Sequence, residues 1–187
     1  EDLNRYNPTF IEQSLSTLAG VQVDKRSNIG GQRIVLRGYG NDQKFNNWGV
    51  KMYWNNMPLT NAEGITLLDD VDFSYINNIE VIKGPASTMY GGGIGGKVKF
   101  YTRPSFEKGT SISQNTMVGS YKHFQSVTQL NTSDTNYNFN VNYGHIQTDG
   151  YRPSGYGLKN FVNINGEYKL NGKQKITLFA SQGYSHE

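Results

Sequence analysis

The stretch "IEVIKGPASTMYGGGIGGKVKFYTR", residues 79 to 103, contains five glycines within six positions. Two nucleotide-binding patterns can be laid over it. Gly91, Gly93 and Gly96 satisfy G-x-G-x-x-G, and a P-loop match also begins at Gly91 and continues through Gly96 and Lys97. The P-loop match fails at Val98, where the pattern requires Ser or Thr. Both patterns also need a helix after the glycines, because the helix N-terminus binds the phosphate.

The residues around the glycines predict strands instead. After them, "KVKFYT" places Val98, Phe100 and Thr102 on one face, which is the period of a strand. Before them, "NIEVI" alternates in the same way. We therefore interpret the glycines as a turn that needs positive φ angles between two strands, and not as a phosphate-binding loop.

Composition narrows the class of protein. The 187 residues are 35% hydrophobic and 13% aromatic, include 22 glycines, and carry a formal net charge of +3. Many aromatics with a low net charge argue against disorder. The absence of cysteine excludes a disulfide framework and thiolate chemistry, and the scattered basic residues argue against nucleic-acid binding. No run is apolar enough for a transmembrane helix, and the N-terminus lacks a signal-peptide core.

The first half of the chain mixes helical and strand patterns. "FIEQSLSTL", residues 10 to 18, has helical spacing, with Thr9 as N-cap and Glu12 three residues later. A second short helix, or helical turns, is predicted over residues 65 to 76. Short strands are predicted in "VQV", "RIVLRG", "GVKMYW" and "NIEVIKG". Residues 1–103 are therefore expected to form a small α+β domain.

After Pro104 the pattern becomes strict alternation. "NYNFNVNYGHI", residues 136 to 146, and "FVNINGEYKL", residues 161 to 170, alternate apolar or aromatic residues with polar ones. Weaker alternation before and after these segments brings the total to about five strands. Two antiparallel architectures fit: a soluble sandwich with its apolar face inward, or a transmembrane barrel with that face toward lipid.

Turn lengths and aromatic positions favour the barrel. "TSDTN" and "LNGK" are tight, whereas residues 147 to 159 form a long connection, and short turns opposite long loops are typical of outer-membrane barrels. Aromatic girdles of such a barrel would contain Tyr137, Tyr143, Tyr168 and Tyr184. Five strands cannot close a barrel, and an open edge is not viable in lipid. The sequence is therefore expected to be a fragment if it is a barrel.

The order of segments resembles one family. "LSTLAGVQV", "IVLRGYG", "VKMYWNNMPL" and above all residues 79 to 103 resemble the plug domain of the TonB-dependent outer-membrane receptors. The last segment is the most specific, since strand, K-G-P, Tyr-Gly, glycine cluster and second strand occur in order. The resemblance covers about residues 10 to 103, and the following strands match the start of the family's barrel.

The resemblance implies an α+β plug domain over residues 1–103, followed at 104–187 by antiparallel strands of a truncated 22-stranded transmembrane β-barrel. It implies a receptor in the outer membrane of a Gram-negative bacterium, in contact with outer-membrane lipid, that imports a ferric siderophore with energy from TonB. The protein would not be an enzyme and would hold no cofactor. The TonB-contacting box of the family is not visible in "EDLNRYNPTF", so no residue is assigned to that contact.

Two basic residues match family motifs that anchor the plug. Arg37 in the R-G motif and Lys83 in the K-G-P motif occupy positions that lie near acidic barrel residues in the family. The resemblance therefore implies plug–barrel anchoring by Arg37 and Lys83. The alternative is that Arg37 and Lys83 are ordinary exposed charges. A buried charge needs an oppositely charged partner, and none is assigned within this sequence.

Ligand contact is expected in loops at the outer apex. Aromatic side chains suit stacking on a chelate, lysine or arginine suits an anionic complex, and amides suit hydrogen bonding. The candidate ligand-binding residues are Gln43, Lys44, Phe45, Asn46, Asn47, Trp48, Asn61, Glu63, Tyr151 and Arg152. The alternative for these loops is a solvated surface with one or two side chains packed inward.

No metal site is predicted. His123, His145 and His186 are far apart, and nothing supplies converging ligand spacing. Met52 and Met57 flank a turn, and thioethers would suit Cu(I), which keeps copper as an alternative cargo beside haem and cobalamin. A ligand-sensing signalling receptor and a soluble β-sandwich adhesin are also compatible with the sequence.

Overall fold

The computed structural model describes residues 15–25, 27, 29–41, 47–69, 71, 73, 76, 78–84, 93–102 and 108–186. The chain divides into two compact units, Glu1–Arg103 and Pro104–Glu187. Strands dominate the described part of both units. Within the described ranges, no helix has the length and apolar character needed to cross a membrane.

The described part of the first unit holds eight strands in three sheets. A four-stranded sheet has the order β5-β4-β8-β7, with β4 and β8 parallel, while β1 pairs with β2 and β3 pairs with β6. The strands are β1 (Val21–Lys25), β2 (Gln32–Leu36), β3 (Asn47–Trp48), β4 (Val50–Trp54), β5 (Met57–Pro58), β6 (Ile65–Thr66), β7 (Asn78–Lys83) and β8 (Gly96–Tyr101).

One face of the four-stranded sheet forms the core of this unit. Met52 and Val98 lie side by side in parallel register, as do Trp54 and Phe100, and all four are buried. Phe73 packs edge-on against Phe100, with ring centroids 5.3 Å apart. Burial of Met52 assigns it to the apolar core, where a flexible thioether fills space, rather than to a copper site.

The prediction of an α+β domain is corrected to a mostly β unit. Over residues 65 to 76 the described positions form β6 followed by isolated turns, in which Val71 N donates to Leu68 O and Ile76 N to Phe73 O. The apolar side chains that suggested a helix, Leu68, Val71 and Ile76, are buried all the same. Apolar spacing alone cannot distinguish a helix from turns that bury the same side chains. Of the helix predicted over residues 10 to 18, positions 10 to 14 lie outside the described residues; Leu15 is helical, and turns follow it from Ser16.

The glycine segment leads into a strand, as predicted. Residues 85 to 92 lie outside the described part, and β8 begins at Gly96. The backbone is closely packed here, since Gly95 N donates to Gly49 O over 2.9 Å and Gly84 N donates to Gly95 O over 3.0 Å. A strand after the glycines removes the helix N-terminus that phosphate binding requires.

A cross-strand ion pair stabilises the β1–β2 hairpin. Asp24 lies opposite Arg33, and Nη2 of Arg33 is 2.6 Å from Oδ2 of Asp24. The hydrogen bond from Arg33 holds the pKa of the Asp24 carboxyl below its usual value. A lowered pKa in the folded protein stabilises it above the pKa of the unfolded chain, and this contribution is lost as pH falls through the folded pKa.

We expect Asp24→Asn to make the amides of residues 21–36 exchange about twofold faster at pH 7 in the intact protein. This corresponds to about 0.5 kcal/mol, reduced because the carboxyl is partly exposed to solvent. Exchange rates corrected for intrinsic pH dependence should begin to approach those of the unchanged protein below about pH 4 and should converge only as pH falls through the lowered pKa of Asp24 in the folded protein. Additive effects of Asp24→Asn and Arg33→Gln in the double variant would contradict the pairing.

The described part of the second unit is one antiparallel sheet of five long strands in sequence order. Short turns at residues 134–136 and 172–173 lie at one end, and the turn at 120–122 and the longer loop at 149–156 lie at the other. This confirms the predicted strand number and the asymmetry of the turns. The strands are β9 (Gly109–Gly119), β10 (His123–Ser133), β11 (Tyr137–Thr148), β12 (Gly157–Asn171) and β13 (Gln174–His186).

The burial of the two faces of this sheet is the reverse of what a soluble sheet would show. On the polar face, Asn142 and its cross-strand partner Asn163 are each 1% exposed. On the apolar face, one row of cross-strand neighbours runs over all five strands: Ile112, Leu130, Val141, Ile164 and Ala180. Ile112 of this row is 73% exposed. The four predicted girdle tyrosines are exposed, and Tyr137, Tyr143 and Tyr168 share one face of their strands.

An aromatic ring covers a glycine on the polar face. Gly144 lies opposite Phe161, and a Cβ atom at Gly144 would lie 1.7 Å from Cζ of Phe161. Phe161 is 2% exposed. The missing side chain at Gly144 therefore leaves the space that the ring fills, an arrangement that compensates for glycine within strands.

Candidate ligand-binding surfaces

The first unit presents a small exposed patch around β3 and β6, which we define as Trp48, Asn61, Glu63 and Gly64. Trp48 is paired with Ile65 and is 40% exposed. Gly64 has φ +81°, and a Cβ atom there would lie 3.5 Å from Nε1 of Trp48, so the loop runs close to the indole. The patch offers an aromatic surface beside the Glu63 carboxylate.

Asn61 shapes the loop that borders this patch. Its Oδ1 accepts hydrogen bonds from the backbone N–H of Glu63 over 3.0 Å and of Ile65 over 2.9 Å. Its own backbone N–H donates to Ile65 O. The predicted contact residue Asn61 therefore uses its carbonyl oxygen to hold the turn, and its amide nitrogen is the group left for a ligand.

Asn47 is corrected from a ligand-contact candidate to a structural residue. Its Oδ1 accepts from Ile34 N over 3.0 Å, and its Nδ2 donates to Ile34 O. The side chain is 1% exposed, because it joins β3 to β2 in place of a backbone ladder. The neighbouring candidates Gln43, Lys44, Phe45 and Asn46 lie outside the described residues.

Arg37 and Lys83 meet at the same turn. The backbone N–H of Arg37 donates to Gly20 O over 2.9 Å, and Nζ of Lys83 donates to Ala19 O. Arg37 has φ +50° and Gly38 has φ +87°, the backbone of a type I′ hairpin turn after β2. These contacts tie Arg37 and Lys83 to the turn before β1, and anchoring to a barrel stays a prediction.

The second unit presents a patch at its long-loop end, which we define as Tyr121, Lys122, Asp149, Tyr151 and Arg152. Tyr121 and Tyr151 are each 60% exposed, with ring centroids 6.4 Å apart. The guanidinium of Arg152 lies 5.1 Å from the centroid of the Tyr151 ring, within cation–π distance. Tyr151 and Arg152, two of the predicted ligand-contact residues, therefore lie in this patch, and their contact with a ligand stays a prediction.

Tyr121, Lys122 and Asp149 were missed by sequence reasoning. Asp149 N donates to Tyr121 O over 2.8 Å, and Nζ of Lys122 is 2.7 Å from Oδ2 of Asp149. The hydrogen bond and the charge of Asp149 raise the pKa of Lys122 above its usual value. Tyr121 and Lys122 both have positive φ angles, which no glycine or asparagine signals in the sequence. The pair fixes the 120–122 turn against the 149–156 loop.

No group of three or more His, Cys, Asp or Glu side chains that could hold a metal ion is formed by the residues that the structure describes. His145 instead lies 2.8 Å from Oδ1 of Asn160 through its Nδ1, and its ring is 6.0 Å from that of Phe124. The ring of His186 packs against Tyr156 at 6.2 Å. Both histidines therefore make protein contacts of their own.

Comparison with known proteins identifies the fold. The family model described as the TonB-dependent Receptor Plug Domain matches residues 1–97. Solved structures of the same fold include the copper transporter OprC, at 20% sequence identity and a TM-score of 0.74. They also include the ferric yersiniabactin uptake receptor FyuA from Yersinia pestis, at 18% and 0.73, and the pyoverdine receptor FpvA from Pseudomonas aeruginosa PAO1, at 15% and 0.67.

The coverage of these matches is asymmetric. They include 93%, 99% and 92% of this chain but only 28%, 31% and 25% of OprC, FyuA and FpvA respectively. The chain therefore spans less than a third of the length of each of these structures. Its described strands match a plug together with the beginning of a barrel.

Proposed function

We propose, since this chain belongs to the TonB-dependent receptor plug domain family, that it is part of an outer-membrane transporter that imports a ferric siderophore with energy from TonB. Members of the family are receptors and transporters, not enzymes, and reside in the outer membrane of Gram-negative bacteria. Residues 1–103 act as the plug and residues 104–187 as the first strands of a 22-stranded barrel.

The observation that carries the proposal is the inverted sheet of the second unit. Its aliphatic row is exposed at Ile112 and Ala180 and half-buried at Leu130, Val141 and Ile164, while Asn140, Asn142 and Asn163 on the opposite face are buried. In water this pattern would place the apolar face against solvent. A barrel wall in lipid needs it, because the outer face meets hydrocarbon and the inner face lines a polar lumen.

The exposed patches supply the chemistry for a chelate. Tyr121 and Tyr151 offer aromatic surfaces, and Arg152 adds a cation beside them. Such groups suit an anionic complex that carries aromatic or carbonyl oxygen surfaces. On this proposal the loop patch captures the ligand.

The same family also accommodates different cargoes and roles. OprC is a copper transporter, and FyuA and FpvA are receptors for iron–siderophore systems, so the fold accepts more than one ligand. Burial of Met52 in the core leaves Met57 as the exposed methionine of the pair that suggested copper. Haem, cobalamin, copper and a ligand-sensing signalling role are therefore outcomes to be separated by experiment.

Uptake of radiolabelled ferric siderophores by cells carrying the complete receptor tests the proposal. Accumulation is expected with a working TonB and not without it. Replacing both Tyr151 and Arg152 with alanine should raise the half-saturating concentration about tenfold, equivalent to about 1.4 kcal/mol of binding. Tyr168→Ala is the matched control, since Tyr168 is 50% exposed near the short-turn end of the sheet.

Two results would contradict this function. Accumulation without a working TonB would show that uptake does not depend on energy from TonB. Absence of accumulation for every iron complex, with the receptor present in the outer membrane, would favour copper, cobalamin or a signalling role. An equal effect of Tyr168→Ala and the Tyr151/Arg152 double variant would show that the loop patch is not the capture surface.

A further inference from the structure

The dipeptide Asn-Gly occurs twice in the second unit, in two different settings. Asn171–Gly172 joins the end of β12 to the tight turn before β13, whereas Asn165–Gly166 lies within β12. Because glycine has no side chain, the backbone nitrogen that follows each asparagine is unhindered and can attack the asparagine's amide carbon. The two pairs therefore offer the same reacting atoms and differ in their structural surroundings.

The side chain of Asn171 is folded toward the turn that follows it. Its Oδ1 accepts hydrogen bonds from the backbone N–H of Lys173 over 3.0 Å and from that of Gln174 over 2.9 Å. An asparagine that bonds to the backbone two residues ahead forms an Asx-turn. This arrangement directs Cγ of Asn171 toward the backbone nitrogen of Gly172.

The backbone nitrogen of Gly172 is free to react. Its N–H has no hydrogen-bond partner among the described residues, and a Cβ atom placed at Gly172 would meet nothing within 4 Å. Asn171, Gly172 and Lys173 are all exposed, so water and hydroxide reach the turn. Attack on Asn171 therefore needs no local unfolding.

The hydrogen bonds to Asn171 also match the charge that such an attack creates. When a nitrogen adds to Cγ, negative charge develops on Oδ1. The N–H groups of Lys173 and Gln174 already point at that oxygen, and donors placed in this way stabilise the charge as in an oxyanion hole. Lys169, Lys173 and Lys175, all within four residues of Asn171 along the chain, add positive charge to the surroundings.

Asn165–Gly166 is held in a geometry that prevents the same attack. Gly166 lies opposite Phe139 of β11 and Leu178 of β13, so it is paired on both sides. In a strand the backbone N–H lies in the plane of the sheet, whereas side chains stand perpendicular to it. Cγ of Asn165 is therefore turned away from the nitrogen of Gly166. The amide nitrogen of Asn165, which would have to leave, is also buried.

From this we propose that Asn171 is a modification site at which the chain deamidates spontaneously. The nitrogen of Gly172 forms a bond to Cγ, the bond from Cγ to Nδ2 breaks, and the proton of the Gly172 N–H leaves with Nδ2 as ammonia. Water then opens the cyclic imide and leaves aspartate or isoaspartate at position 171. The reaction places a new carboxylate among the lysines of this turn.

Peptide mapping of the complete receptor by mass spectrometry tests this proposal. The receptor is incubated folded in detergent or unfolded in guanidinium chloride, and conversion of both asparagines is followed with time. In the folded receptor, Asn171 should convert at least about tenfold faster than Asn165, because only Asn171 reaches an attack geometry. In the unfolded receptor both should convert at similar rates. All rates should rise with pH, since the attacking nitrogen must lose its proton.

Gly172→Ala is the matched variant. Gly172 has no positive φ angle and has open space for an added methyl group, so the hairpin should be kept while the attacking nitrogen becomes hindered. Conversion of Asn171 should slow about tenfold. The more acidic form of the receptor, separated by ion-exchange chromatography, should decline with it. Heat-modifiable mobility on gels checks that the variant is folded.

Two results would overturn the proposal. Conversion of Asn171 in the unfolded receptor but not in the folded one would show that the turn protects this amide. Equal conversion of Asn171 and Asn165 in the folded receptor would show that the fold does not select between them.

Discussion

Replacing Gly96 with alanine is expected to destabilise the first unit by about 3 kcal/mol. Gly96 has φ +134°, and a Cβ atom there would lie 2.2 Å from the carbonyl oxygen of Ile82. The closest obstacle is a backbone atom, which cannot move aside as the end of a side chain could. Hydrogen exchange in the intact receptor should become about a hundredfold faster for amides of β7 and β8.

Gly84→Ala separates the two causes. Gly84 has φ +103°, but nothing lies within 4 Å of a Cβ atom placed there. This control should therefore carry only the backbone cost, about 1 kcal/mol. Comparable exchange rates in the two variants would contradict the close approach of β8 to the Ile82 carbonyl.

Replacing Ile112 with lysine is expected to cost about 2–4 kcal/mol of folding free energy in a bilayer. Ile112 belongs to the aliphatic row and is 73% exposed, so on the proposed function its side chain meets hydrocarbon. The folded fraction of the complete receptor in lipid vesicles, followed by gel mobility against denaturant concentration, measures this cost.

Thr116→Lys is the matched control, four residues along the same face of β9. Thr116 lies nearer the long-loop end of β9, close to the expected membrane interface, where a lysine costs about 0–1 kcal/mol. A soluble sheet makes a different prediction, because a lysine at an exposed position in water is nearly neutral. Equal and small effects at both positions would therefore contradict a lipid-facing surface.

Local patterns predicted much of this fold. Strict alternation in residues 136 to 146 and 161 to 170 located β11 and β12, and the turn residues located the ends of the sheet. The strand after the glycines was equally clear from Val98, Phe100 and Thr102. The periodicity of apolar residues and the preferences of turn residues are local, so both can be read from a single sequence.

Nonlocal contacts explain what sequence reasoning missed. Residues 65 to 76 resembled a helix because apolar spacing cannot distinguish a helix from a buried irregular segment. Asn47 resembled a loop amide in the sequence, but both polar atoms of its side chain form hydrogen bonds with the backbone of Ile34, thirteen residues away. The Lys122–Asp149 pair depends on two loops meeting, which no local pattern encodes.

Which face of the second unit's sheet is exposed, the apolar or the polar one, is the feature that most strongly separates a membrane wall from a soluble sheet. Alternation alone is symmetric between a sandwich and a barrel, since both have one apolar and one polar face. Burial supports the barrel, since Ile112 and Ala180 of the aliphatic row are exposed while Asn142 and Asn163 on the opposite face are buried. The proposed function rests on that difference, because a membrane wall requires an apolar exterior.

The most direct test labels two adjacent residues of β13. Ala180 belongs to the aliphatic row and Ser181 points to the polar face, where it donates to Asn163. The chain has no cysteine, so Ala180→Cys and Ser181→Cys each introduce one thiol into this segment for a nitroxide label. In the complete receptor in lipid vesicles, the label at 180 should be accessible to oxygen dissolved in lipid and shielded from a water-soluble nickel complex. The label at 181 should lack that preference for oxygen, and a label at 180 reached mainly by the nickel complex would contradict a membrane wall.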